Sequence, residues 1–389
     1  MRALLERSAP SPIAPPPAAF SEDLPFAVER TADGELHVRT WTLGAEHRTG
    51  HAPAMLARHA DPRLLSLLAL DRAIAEVSLD GALFVDTETT ALAGGTGTVP
   101  FLVGLAWFHG HTLVVEQLLV RRLGEEAPVL ARVRERIERA SLLVSFNGKS
   151  FDLPLLRTRF VMNRIEPPPA RPHLDLLHVA RRVHKARRMA CRLVSLERDV
   201  LGFVRENDVP SGEVSSVYLH FLRTGDGEAL RGVVDHNAWD VVTMASLLGL
   251  YGEPLSRTRL VAEDLAGLAG ALHQGGDAEA AMEAATLAVD RGLGVVALRA
   301  RARVAKARGD RDRALLDWEA IERAGGTDED RLELAKLYEH HVRDPGLALA
   351  VAARGTSEDE PAREKRRRRL EKKRERHAQA ALFPRKTSA

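Results

Sequence analysis

The sequence predicts an α/β protein, a mixed sheet covered by helices, followed by an all-α region of helical repeats. Three observations carry that expectation. Antiparallel-looking strands come first and then give way to strands alternating with helical stretches, the pattern of a mixed sheet with helices on its faces. From residue 258 or so the texture changes to Ala-rich helices. Within those helices one unit recurs every 33 to 34 residues, a period that belongs to stacked helical hairpins.

In chain order, residues 1–20 are rich in Pro, Ala and Ser and read as flexible. Residues 21–80 are mixed, with LLSLLALDRAI as a helical segment. GALFVDTE is a strand, and VPFLVGLAWFHG and HTLVVEQLLV are two more joined by a turn at His109-Gly110. EEAPVLARVRERIERA has helical spacing with a charged face. SLLVSFNG is a further strand ended by Gly148, followed by the helix FDLPLLRTRFVMNR. PHLDLLHVARRVHKARR starts extended and becomes a basic helix, and LRGVVDHNAWDVVTMASLLGLYG is a long helix closed by Gly252.

The recurring unit begins at GDAEAAMEAA, GDRDRALLDW and RDPGLALAVA. Asp277, Asp310 and Asp344 open the units, and Ala281, Ala314 and Ala348 each follow their Asp by four residues. A turn, a polar opener and a small residue at this period is the signature of tetratricopeptide-like hairpins, the small Ala letting paired helices approach. An Ala-rich bundle with chance spacing is the plainer alternative. Two to three units are near the minimum for a stable stack, so docking on the first domain is expected. Beyond them, Arg363 to Arg376 carries ten basic and three acidic residues. That run reads either as a solvated helix end or as a phosphate-binding tail.

Bulk properties narrow the function classes. A chain of 389 residues suggests two or three domains. The formal charge is +2 and aromatics are 5%, low for stacking many bases but compatible with a few. No stretch approaches the ~20 apolar residues that span a bilayer, so no membrane partner is expected. The N-terminal stretch lacks the continuous apolar core of a secretion signal. Cys191 is the only cysteine, which rules out an internal disulfide, fits a reducing cytosol and so a cytoplasmic location, and reads as a small buried hydrophobe.

The stretch LFVDTETTAL ends a strand on two acids. Residues i and i+2 share a strand face, so Asp86 and Glu88 point the same way and Thr87 the opposite way. Convergent carboxylates suit hard divalent ions, and phosphoryl transfer often uses two of them. Three other places supply acids. Asp152 sits at a strand-to-helix junction in SFNGKSFDLPLL, where capping the helix is its structural reading. Asp175 lies in an apolar segment and needs a partner. His236 and Asp240, at i and i+4, share a helix face, either as a surface pair or as part of a site, while Asp235 and Asn237 could cap or solubilise a helix start.

FVDTETT, FNGKSFD and HNAWD resemble the three exonuclease motifs of the DEDD nucleases of the ribonuclease H-like fold. The similarity is closer to the bacterial YprB-type ribonuclease H-like domain proteins. It extends through GGTGTVPFLVGLAWF, NGKSFDLPLLRTRF, HLDLLHVARRV, CRLVSLERDVLGFVRENDVPSGEV and HNAWDVVTM, over roughly residues 20–255, and that family also carries a tetratricopeptide-like region similar to LAKLYEHHVRDPGLAL. The resemblance implies a ribonuclease H-like exonuclease domain over 21–255 with an N-terminal extension, tetratricopeptide-like repeats over 258–357 and a basic tail over 358–389. It implies Asp86 and Glu88 as first-motif acids, Asp152 as the second, Asp240 as the last, and His236 in the place of the general base. Two departures stand out. His236 lies at the spacing, Tyr-x-x-x-Asp, at which one DEDD subtype has Tyr, and not at the His-x-x-x-x-Asp spacing of the other. Ala91 stands where the motif has Gly.

The activity so implied is metal-dependent 3′–5′ exonuclease hydrolysis of single-stranded DNA or RNA with two divalent cations, Mg2+ or Mn2+. In it Asp86 shares both ions, Glu88 and Asp240 complete one site and Asp152 holds the second ion. Thr89, Asn147, Lys149, Arg181, Arg182, Lys185, Arg187 and Arg188 are the expected nucleic-acid contacts, with Arg157, Arg159 and Arg192 nearby. For any single one of them a solvated face, or for Asn147 ordinary turn chemistry, serves as well. Two other classes stay open: a catalytically weak binding module whose repeats recruit a protein partner, and a phosphodiesterase acting on short oligonucleotides.

Overall fold

The structure, a computed structural model, describes residues 24–90 and 97–382, with side chains as far as Gln379. The Pro/Ala-rich stretch 1–20 and Ala91 lie outside the described residues. Strands β1 (Ala27–Thr31), β2 (Gly34–Leu43), β5 (Ala82–Thr89), β6 (Pro100–His109), β7 (Thr112–Leu119), β8 (Leu142–Ser145) and β9 (His173–Asp175) form a seven-stranded sheet in the order β1-β2-β7-β6-β5-β8-β9. A two-stranded ribbon of β3 (Arg48–Thr49) and β4 (Ala52–Pro53) stands apart. β5 pairs antiparallel with β6 and parallel with β8, and β8 is parallel to β9, so the sheet is mixed as the sequence predicts.

Two differences from the sequence reading have local causes. β1 and β2 extend the sheet edge from a segment that reads only as mixed. In GELHVRTWTL only Leu36 and Val38 among the large apolar residues are fully buried, so the alternation that marks a strand is weak. LLSLLALDRAI is also not one helix. α1 (Pro62–Ala69) ends at Leu70, which is left-handed at φ 58°, and Asp71 then caps a separate 3-10 turn over Arg72–Glu76.

Helices cover both sheet faces. Leu83 and Val85 face one side with α2 (Ala127–Arg139), α3 (Asp152–Met162) and α6 (Val214–Thr224), where Phe101 stacks on Tyr218 at 3.9 Å between ring centroids. Phe84, Ala106 and Val144 face the other, against the second half of α7 (Glu228–Tyr251). Strand alternation therefore sends Asp86 and Glu88 to the α7 side and Thr87 to the α3 side. Basic α4 (Leu176–Val183) follows β9 and passes into a 3-10 turn over His184–Arg187, and the short α5 (Leu193–Leu196) runs into a π turn over Glu197–Leu201.

Helices α8 (Ala262–Gly275), α9 (Ala278–Asp290), α10 (Val295–Ala307), α11 (Arg311–Arg323), α12 (Asp328–Leu337) and α13 (Pro345–Ala352) pack as successive hairpins. The sequence period is visible in them. Asp277, Asp310 and Asp344 accept backbone N–H bonds at the starts of α9, α11 and α13, and Ala281, Ala314 and Ala348 are fully buried. The first hairpin shares a core with the sheet, since Leu265, Leu272, Ala281 and Ala285 lie in one cluster with Phe84 and Met244. At Gly267 a Cβ would stand 1.9 Å from the Val183 carbonyl oxygen, so only glycine lets α8 lie this close to the end of α4. α14 (Glu360–Leu382) holds the basic run, and Arg366, Arg369 and Lys373 pair with buried Glu339. One helix face is thus docked, while Lys365, Arg368, Lys372, Arg374 and Arg376 face solvent. Cys191 is partly buried at the core margin. Among the described residues no helix is long and apolar enough to cross a membrane.

Candidate active site

β5 brings Asp86 and Glu88 to its carboxyl end, beside the carboxyl end of parallel β8. α7 crosses over them and contributes His236, Asn237 and Asp240, all buried. The helix begins at Glu228, so Asp235 and Asn237 lie inside it and cap nothing. Asn237 is fully buried and donates to Asp86 Oδ2 at 2.8 Å, while its own Oδ1 accepts from Gln117 at 2.9 Å. The room for that amide comes from Gly104, which pairs with Asp86 across the sheet. A Cβ there would stand 2.4 Å from Asn237 Oδ1.

Asp152 is the first residue of α3 and not its cap, which is Phe151. Its buried carboxylate accepts from Thr87 Oγ1 at 2.6 Å, a bond reached from the opposite strand face to Asp86. Asp175 finds its partners as the cap of α4. It accepts from Leu177 N at 3.1 Å and also from the backbone of Asn147 and Lys149 at 2.8 and 3.1 Å, so it fastens the loop that leads to Asp152. Asn147 is left-handed at φ 69°, the turn chemistry expected of Asn-Gly.

Glu88, His236 and Asp240 bring ligand atoms within 4.8 Å of one another. His236 Nε2 is 3.9 Å from Glu88 Oε1 and 3.6 Å from Asp240 Oδ2. Its Nδ1 lies 2.6 Å from Asp208 Oδ1. Arg205 Nη1 is 3.2 Å from the same nitrogen. An ionised carboxylate only accepts, so the shorter Asp208 contact puts the proton on Nδ1 and leaves Arg205 as a neighbour. Buried Arg205 also pairs with Asp240 and forks onto Glu197 at 2.7 Å through both its Nε and Nη2.

The charges record what this assembly costs. Burial raises the Asp86 carboxyl well above the ordinary range, and the charges of Asp240, Glu88 and Asp152 raise it further, against the Asn237 bond. Burial pushes Glu88 up to about 7 despite His236, and Asp152 up to about 6 despite Thr87. Burial works against a charged His236, but Asp240, Glu88 and Asp208 together outweigh it and raise its pKa. Clustered carboxylates with one imidazole, short of internal counter-charge, form a donor set that fits divalent cations.

The expected nucleic-acid contacts divide. Lys149, Arg181, Lys185 and Arg188 are exposed, and Thr89 ends β5 partly buried. Arg182 and Arg187 are committed elsewhere. Arg182 donates to Leu68 O at 2.8 Å and His178 O at 3.3 Å. Arg187 forks onto buried Asp264 of α8 at 2.7 and 2.6 Å. Arg187 thus holds the helical region to the sheet domain, and Arg182 ties α4 to α1 within that domain.

Sequence reasoning missed Asn237 as a partner of Asp86, and missed Arg205, Asp208 and Glu197 altogether. Gly104 inside a strand was the available signal for the first. Nothing in the spacing reveals the others, because a π turn over Glu197–Leu201 and left-handed Gly202 at φ 70° separate Glu197 from Arg205.

Residues 83–251 match the RNase_H superfamily. The chain is also 30% identical over 329 residues, covering 79% of it and 75% of the relative, to the uncharacterized protein YprB of Bacillus subtilis (strain 168). Superfamily membership points to nucleic-acid hydrolysis, and it fits the half-buried acids at the end of β5. With similarity running over most of both sequences, the chain belongs to the YprB family of the ribonuclease H superfamily.

Proposed function

We propose that the protein is a metal-dependent 3′–5′ exonuclease of single-stranded nucleic acid. The observation that carries the reading is the meeting of Glu88, His236 and Asp240, whose ligand atoms lie within 4.8 Å of one another, beside Asp86, whose carboxyl is raised by burial and by the charges of Asp240, Glu88 and Asp152. Divalent ions held by these four carboxylates would lower the pKa of bound water and stabilise the leaving oxygen. The protein's own part is positional. Asn237 orients Asp86, Thr87 orients Asp152 and Arg205 fixes one oxygen of Asp240. Lys149 and the exposed Arg181, Lys185 and Arg188 supply positive charge for a phosphate backbone. The helices after residue 258 then form a tetratricopeptide-like platform for a protein partner.

The test is incubation of the purified protein with 5′-labelled single-stranded DNA and RNA in Mg2+, Mn2+ or chelator, beside Asp86→Ala. A ladder shortening from the 3′ end, dependent on metal and lost in the variant, is expected. Loss of an interaction worth several kcal/mol at the transition state corresponds to a rate loss on the order of a thousandfold. Undiminished cleavage by Asp86→Ala overturns the reading. Tight binding without cleavage in any metal supports the binding-module alternative.

A further inference from the structure

His236 stands in the place of a general base, yet its surroundings are those of a ligand. On an α-helix, residues four apart are turned by about 40°, and residues five apart by about 140°. The i, i+4 spacing therefore aims the His236 ring at the same point as Asp240, where a ring one residue earlier would diverge from it. The observed Nε2 distances of 3.6 Å to Asp240 Oδ2 and 3.9 Å to Glu88 Oε1 agree. Two donors each roughly 2.0–2.2 Å from one ion cannot be more than about 4.4 Å apart, and both distances fall inside that limit. Among the described residues Nε2 has no hydrogen-bond partner, although His236 is 94% buried, being 6% exposed.

The other ring nitrogen completes the pattern. Nδ1–H donates to Asp208 Oδ1 at 2.6 Å, which leaves the lone pair of the neutral ring on Nε2, facing Glu88 and Asp240. A carboxylate behind a histidine is the usual outer support of a metal-bound imidazole, because it fixes both tautomer and ring orientation. Asp240 is divided in a complementary way. Arg205 takes Oδ1 and leaves Oδ2 on the His236 side.

We infer that His236 is a metal ligand, its Nε2 joining Glu88 and Asp240 around one divalent ion, with Asp208 as the residue that positions the ring. An imidazole in the donor set favours a first-row transition ion over Mg2+, which prefers oxygen alone. The inference rests on the hydrolase reading only for the presence of a metal at these acids. A ligand role also leaves no separate protein base in the reaction, since bound metal already acidifies water.

The experiment is Mn2+ binding to the full chain, at one equivalent, followed by pulsed electron paramagnetic resonance and calorimetry. Nitrogen modulation of the Mn2+ signal is expected in the native protein and its loss in His236→Gln. Asp208→Ala is expected to weaken Mn2+ binding by about 10- to 100-fold, and Asp208→Asn, whose amide oxygen still accepts from Nδ1–H, to recover most of it. Native protein that binds Mn2+ without nitrogen coupling, or binds none, overturns the inference, and this readout needs no variant to fold. Cleavage with no nitrogen coupling leaves the exonuclease reading intact and removes the ligand role. Nitrogen coupling with no cleavage in any metal keeps the ligand role and removes the exonuclease.

Discussion

In the helical region, fully buried Asp317 accepts from Arg301 Nε and Nη2 at 2.9 and 2.8 Å and from Arg313 at 2.6 Å. At the end of β5, Asp86 accepts from a neutral amide and faces three other acids. The contrast repeats elsewhere in each region. Glu339 is buried, but bonds from Arg369 and Lys373 and the charges of Arg369 and His340 overcome that burial and hold it down to about 2, and Arg299 helps hold Asp330 low. Glu88 is instead raised to about 7. The two regions thus treat the same chemical group oppositely. Acids in the repeats carry their cations with them as arginine and lysine. Acids at the sheet end share Arg205 and His236 among four carboxylates, leaving a charge deficit that a bound cation would fill. A buried acid by itself says little about function; the supply of counter-charge separates scaffold from site.

The largest effect expected from breaking this contrast is the thousandfold loss in Asp86→Ala. Next in size is the opposite experiment, removal of an acid that the protein has already paired. Asp264 is buried and holds His184 at 2.7 Å and Arg187 at 2.6 Å, with His184 passing its other nitrogen to Tyr251 at 2.8 Å. Asp264→Ala leaves these groups without their acceptor and should cost about 3 kcal/mol of stability. Denaturant unfolding would measure it. The loss should be the same in chelator and in saturating Mn2+. A loss that metal reverses would mean that the pair belongs to the site and that the division between the regions is wrong.

A third experiment uses pH without metal. Asp86, Glu88 and Asp152 hold protons in the folded protein at pH values where the unfolded chain, with carboxyls near 4, has released them. Stability then falls as pH rises through that window, from about 4 to about 7, because the native state binds more protons than the unfolded state. His236 acts in the same direction, since its raised pKa makes its contribution greatest at low pH. In chelator the melting temperature should therefore drop from pH 5 to pH 8. Asp86→Asn should flatten the slope, and Mn2+ at pH 8 should restore the lost degrees. A melting temperature that rises over this range would show that the acids are compensated from within.

Much of this was legible in the sequence, and the limits have physical causes. Alternation placed Asp86 and Glu88 on one face, and helical period placed His236 beside Asp240, because both depend only on local geometry. The 33 to 34 residue period located three caps and three buried alanines for the same reason. The loop-borne partners were not legible. Asp208 and Arg205 reach α7 from a segment with no period, so only the folded chain brings them to His236. The basic run at Arg181–Arg188 misled in part, since composition cannot tell an arginine that faces water from Arg187, which faces Asp264.

The smallest effect tests the repeat region on its own terms. Asp277 opens α9, with its side chain accepting from Glu279 N at 3.1 Å and Ala280 N at 2.8 Å. Those N–H groups have no partner within the helix, so the carboxylate satisfies donors that alanine would leave to water. Asp277→Ala should cost about 1 kcal/mol, and Asp277→Ser, which keeps an oxygen acceptor, only a small part of that. The effect should spread beyond α9, because Ala281 and Ala285 of that helix lie in the same core as Phe84 of β5. Hydrogen exchange would show this directly. If the repeats and the sheet are one cooperative unit, amides of β5 lose protection together with those of α9 in Asp277→Ala. Lost protection confined to the helices would mean that the shared core does not couple them, and that the platform can shift without disturbing the acids.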